Sequence, residues 1–208
     1  MKKISVLVLL AMSLTIPSPA PAERKNELSA EPVFEVSSAK DETGKEVYTG
    51  TMVNMNGRTA TVGFTLTLEG RTSDEQALEY LKVLASEGQD DFLKAIHKNN
   101  LGFIAATGQT RRDLLVVREG QVEGKRRIIA AFERWQNFWE VRGGYRSTDY
   151  PFSIIEIFFD EKGKGTGTFI GLAQVGMKRD KKTEQLRLEI ESFGSFPAKV
   201  MGVIRRNK

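Results

Sequence analysis

The chain has 208 residues, with 31 lysines and arginines against 27 acids, one histidine and no cysteine, for a formal charge of +4. Without cysteine it holds no disulfide framework, thiol nucleophile, thiolate-bound zinc or iron–sulfur cluster. A lone histidine, His97, excludes histidine-rich metal sites as well.

Lys2 and Lys3 precede an apolar run over 4–14, and Ala20-Pro21-Ala22 supplies small residues at the −3 and −1 positions of a cleavage site. A charged start, an apolar stretch too short to span a bilayer and an A-x-A site read as a secretory signal peptide over residues 1–22. No cysteine follows to carry a lipid. Removal takes away Lys2 and Lys3 and no acid, so the formal charge falls from +4 to +2. The expected location is the periplasm or the cell exterior, with no membrane span after cleavage. Residues 23–32 are polar, lack periodicity and read as a flexible leader. Residues 33–208 fit a single domain with a sizeable core.

A first strand is expected over 33–39 and a turn over 41–44, then a strand over 45–55 ending at Asn56-Gly57, a strong hairpin signal. From Thr59 to Leu68, Ala60, Val62, Phe64, Leu66 and Leu68 alternate with threonines and Gly63, so one face meets a core and the other meets water. At Thr72 the period changes. Thr72-Ser73-Asp74-Glu75 fits a capping box with Thr72 as N-cap, and Ala77, Leu78, Leu81, Leu84 and Ala85 recur at helical spacing up to a stop at Gly88. A shorter helix is expected over 90–98. Strands follow over 102–106, 113–118 and 125–132, an ambiguous aromatic segment over 133–141, and a loop over 143–151. Four further strands are expected over 152–160, 166–178, 183–193 and 198–205. Connections this short require antiparallel pairing. The fold class is therefore α+β, mainly antiparallel β, as a curled sheet or partly open barrel with one helical pair; a two-layer β-sandwich is the alternative.

Gly163-Lys164-Gly165-Thr166-Gly167 looks like a phosphate loop, but its lysine precedes a glycine and a strand follows, so it reads as a hairpin turn. Lys162 and Lys164 stand where an EF-hand would need oxygen ligands. Glu156 shares a strand face with Phe152, Ile154 and Phe158, and a carboxylate on an apolar face must pair, accept hydrogen bonds or take up a proton. Pairing with a lysine or arginine is the favoured outcome, and a place in a ligand cavity the alternative. Trp135 and Trp139, within 135–139, form a potential aromatic platform or a core plug. His97 is expected to cap a helix C-terminus, and no G-x-S-x-G elbow accompanies it. The basic clusters at Arg111-Arg112, Lys125-Arg126-Arg127, 178–182 and Arg205-Arg206 fall mainly at strand ends, so nucleic acid is not an expected partner.

Phe138-Trp139-Glu140, Asp149-Tyr150-Pro151-Phe152 with Ile155-Glu156, the run from Asp160 to Gly167, Glu191-Ser192-Phe193-Gly194 and Pro197 resemble a family of exported bacterial proteins with no assigned activity. The resemblance spans roughly residues 70–205. It implies export and an independent folding unit, and no cofactor or catalytic residue. The leading functional expectation is a non-enzymatic exported binding or envelope-accessory domain without a cofactor, whose partner is unknown. The second is a carrier of a small apolar ligand in a barrel mouth lined by Trp135, Trp139 and the Phe152–Phe158 face, with Glu156. The third is a carboxylate-dependent enzyme.

Overall fold

A computed structural model describes residues 44–54, 60–135, 146–179, 186–193 and 197–206. The signal and leader segments, the strand expected over 33–39, Asn56-Gly57 and Trp139 lie outside the described residues. Among the described residues, ten antiparallel strands form one strongly curled, half-barrel sheet, in place of the two packed sheets of a sandwich. They are β1 (Glu46–Asn54), β2 (Ala60–Leu68), β3 (Gly102–Ala106), β4 (Arg112–Asp113), β5 (Val116–Val122), β6 (Lys125–Glu133), β7 (Phe152–Phe159), β8 (Gly165–Arg179), β9 (Leu186–Ser192) and β10 (Ala198–Arg205). The order across the sheet is β4-β3-β2-β1-β10-β8-β7-β6-β5, with β9 paired to β8. Two helices, α1 (Asp74–Ser86) and α2 (Gln89–Ile96), connect β2 to β3.

The segment expected as one strand over 113–118 is divided. Leu114 donates its N–H to Gly102 O and Leu115 to Ala131 O, so adjacent residues bond to β3 and to β6. This switch draws the two ends of the sheet path, β4 and β5, toward each other and curls the sheet. Gly102 sits at a matching close approach: its φ is +126°, and a Cβ there would lie 2.1 Å from the Thr67 carbonyl oxygen, a contact only glycine avoids.

The concave side is filled. Phe64, Leu66 and Leu68 of β2 meet Tyr48, Ile104, Val117, Ile128, Phe132, Ile155, Ile157 and Val203 in one apolar cluster. Alternation along β2 therefore holds where the strand crosses this core. It fails at both ends: Ala60 is exposed and Val62 half-buried toward the β1 connection, while Thr67 is buried opposite Phe103. A second cluster lies on the convex side, where α1 and α2 cover β7, β8 and β9 through Leu84, Ile96, Phe152, Ile154, Ile170, Val175 and Ile190.

The helix start is one residue later than the sequence suggests. Ser73 is the N-cap and Gln76 completes the box, each side chain bonding the other's backbone N–H. Thr72 is otherwise engaged: its N–H donates to Val117 O at 2.8 Å and its hydroxyl accepts from Val117 N–H at 3.1 Å. Gly88, at φ +90°, lies between the helices and is the N-cap of α2. His97 ends α2, with Nδ1 donating to Lys94 O at 2.6 Å. Asp160 receives the backbone N–H groups of Lys162 and Lys164, so the glycine-rich run 163–167 begins as the tight β7–β8 turn. Among the described residues no helix is long and apolar enough to cross a membrane.

Candidate functional site

Strand β6 runs from one rim of the curled sheet to the other, and different groups occupy its two ends. At the Arg126 end, Arg126 bonds Glu119 through Nε, Tyr48 Oη through Nη1 at 2.7 Å and Glu46 through Nη2 at 3.0 Å. Arg71 bonds the same two acids, Glu119 at 2.9 Å and Glu46, and Arg205 approaches Glu46 at 3.3 Å. Burial alone would raise the Glu119 carboxyl, but hydrogen bonds from Arg126 and Arg71 outweigh it and hold that carboxyl below the usual range. Burial raises the Tyr48 phenol. At the other end Trp135 packs on Phe132 and Phe169, with ring centroids 5.2 and 6.4 Å away, and its indole N–H donates to Thr110 O.

One open space lies on the convex side, between the helical pair and the sheet. A groove of about 130 Å³ is walled by α1 (Ala77, Tyr80, Leu81, Leu84) and by Phe92 of α2. Its floor is set by strand register. One row is wholly apolar: Val116, Ala131, Ile154 and Ile170 are successive partners across β5, β6, β7 and β8. The adjacent row toward the rim is Arg118, Ile129, Glu156 and Thr168, also successive partners. Apart from Tyr80, whose hydroxyl accepts from Asn99, the polar lining is confined to this row. The groove is thus apolar along its depth and polar along one edge.

Glu156 is on the face that its parity indicates, and it is paired. Arg127 reaches its Oε1 with both Nε and Nη2 at 2.6 Å. The pair is mostly buried, with side-chain exposures of 11% for Arg127 and 17% for Glu156. The Arg127 guanidinium also lies 5.7 Å from the centre of the Phe158 ring, its cross-strand neighbour, within reach of a cation–π contact. Arg118 is fixed differently. Its Nη1 donates to Thr72 O at 2.8 Å and its Nη2 to Asp74, whose side chain is 54% exposed.

Of the residues singled out in the sequence, Phe152 and Glu156 line this groove, and Phe158 follows one step beyond the polar row. Trp135 is on the opposite face, packed against the concave core, so the sheet separates it from them. A barrel mouth formed jointly by Trp135 and the Phe152–Phe158 face is therefore not assembled among the described residues. Arg118, Ala131 and Thr168 were not singled out, and neither were Glu46, Arg71 and Glu119 at the rim. Arg126 carried a signal: alternation places it with Ile128, Ala130 and Phe132 on the core face of β6, where a cation must find acids. Among the described residues no three histidine, aspartate or glutamate side chains are grouped as metal ligands would be.

No family model, no curated protein and no solved structure matches this chain.

Proposed function

We propose that this chain is an exported, non-enzymatic binding protein that holds a small apolar ligand in the groove between its helical pair and its sheet. One observation carries the reading: the groove has an apolar floor and walls with polar groups along a single edge, while the concave core is packed. Ligand sites of small molecules share that composition, an apolar lining with a few placed polar groups. The volume, about 130 Å³, is close to that of an apolar cavity that accepts a benzene-sized molecule, about 150 Å³. A ligand of this scale, or one end of a longer one, is what the groove suits. Glu156 serves this reading as a paired residue at the edge, since Arg127 occupies Oε1.

The test is binding of a neutral fluorescent probe, N-phenyl-1-naphthylamine. Its emission should rise with saturable binding to the protein. Ala131→Leu adds bulk to the groove floor and should weaken binding at least tenfold with circular dichroism unchanged. Equal binding by both proteins would remove the groove as the site. Export has its own measurement: N-terminal sequencing of the secreted form should begin at Glu23, and an intact Met1 outside the cytoplasm would overturn it.

A further inference from the structure

We infer that the ligand is a medium-chain carboxylate, its tail along the apolar floor row and its head on Arg118; this rests on the groove reading above. The edge row carries two charges, Arg118 and Glu156, and Arg127 neutralises Glu156 through two short contacts to one oxygen. Arg118 is the cation whose counter-ion is easily exchanged. Its partner Asp74 is 54% exposed, and such a solvated pair contributes little. The bond from Nη1 to Thr72 O holds the guanidinium in place whether or not Asp74 stays. Asp74 is also the first residue of α1, so the helix dipole adds to the preference for an anion at this point.

The same geometry disfavours the other head groups. An ammonium would enter beside two guanidiniums, with the nearest carboxylate already paired. A hydroxyl would offer guanidinium a single neutral acceptor in place of the anionic, two-point contact that a carboxylate makes. Arg118, Val116, Ala131, Ile154 and Ile170 therefore define a head site and a tail track one residue row apart.

Calorimetric titration of the full chain with octanoate, octanol, octylamine and hexanoate tests this. Octanoate should bind at least tenfold tighter than octanol, with octylamine weakest. Each methylene that enters the groove should strengthen binding about fourfold, so hexanoate should fall behind octanoate by roughly fifteenfold. Arg118→Gln should bring octanoate down to the octanol affinity. Asp74→Asn leaves Arg118 in place and removes its competitor, so it should tighten octanoate about threefold and leave octanol unchanged. Glu75→Gln removes the same charge one residue further on and should change neither. Octanol binding as tightly as octanoate, with Asp74→Asn without effect, would overturn the carboxylate assignment while leaving the groove reading intact. Failure of every one of these ligands and of the naphthylamine probe to bind would overturn both.

Discussion

At the scale of single residues, Glu156 shows how a strand can carry a charge on an apolar face. Its parity could be read directly, because successive side chains point to opposite faces. Its partner could not. Arg127 lies on the neighbouring strand, diagonal to Glu156 in a register that depends on the chain's course between β6 and β7. The ion pair makes a stability demand that a solvated carboxylate would not. Glu156→Gln keeps the side chain's shape but leaves the mostly buried Arg127 without its counter-charge, and such a loss costs more than the pair contributes. Urea melts should show about 1–3 kcal/mol of destabilisation. An unchanged or raised midpoint would mean that Arg127 turns to solvent and that the pair is incidental.

At the scale of elements, the largest part of the fold was legible where one element faces one environment. The alternation of β2 through Phe64, Leu66 and Leu68, the period change after Leu68 and the short antiparallel connections all follow from local sequence. What was hidden depended on long-range contacts. Thr72 has the hydroxyl of an N-cap and lies three residues before a glutamate, yet it bonds Val117 of β5, and Ser73 takes its place as the cap. No local rule could choose between them, since both residues have a hydroxyl and a partner three residues on. Likewise, nothing in the period of β7 states which of its faces the helices cover, so the groove and Arg118 were invisible until β5 was placed beside β6. The two hydroxyls should separate in a stability measurement. Ser73→Ala removes an exposed cap and should cost about 1 kcal/mol. Thr72→Val leaves the buried Val117 N–H without its side-chain acceptor and should cost about 1–3 kcal/mol. It should also speed amide exchange at Val117, which Ser73→Ala should leave alone. No loss for Ser73→Ala, and a loss for Thr72→Val with protection at Val117 retained, would return the capping role to Thr72.

At the scale of the whole molecule, the ring of Glu46, Arg71, Glu119 and Arg126 joins distant parts of the chain: β1, the segment after β2, β5 and β6. Tyr48 and Arg205 extend it to the buried core and to β10. It therefore crosses the rim of the curled sheet and ties the β5–β6 end of the sheet path to its middle. These residues were unreadable as a unit because their partners are far apart in sequence and meet only when the sheet curls. Their arrangement makes the fold sensitive to acid, and Glu119 gives the direction. Its carboxyl titrates below the usual range in the folded protein, because the bonds from Arg126 and Arg71 exceed the penalty of burial. A carboxylate lowered by folding stabilises the protein above its unfolded value, about 4.3 for glutamate, and loses that contribution as pH falls below it and through the folded value. Arg126, raised further by the same ring, stays protonated across that window and does not oppose the trend. Urea melts of the protein should therefore lose stability steeply below about pH 4.3. Glu119→Gln should cost about 1–3 kcal/mol at pH 7 and make the acid limb shallower, since one proton-linked contribution is gone before titration begins. An acid limb of unchanged steepness in the variant would mean that Glu119 is not the group whose protonation opens the rim.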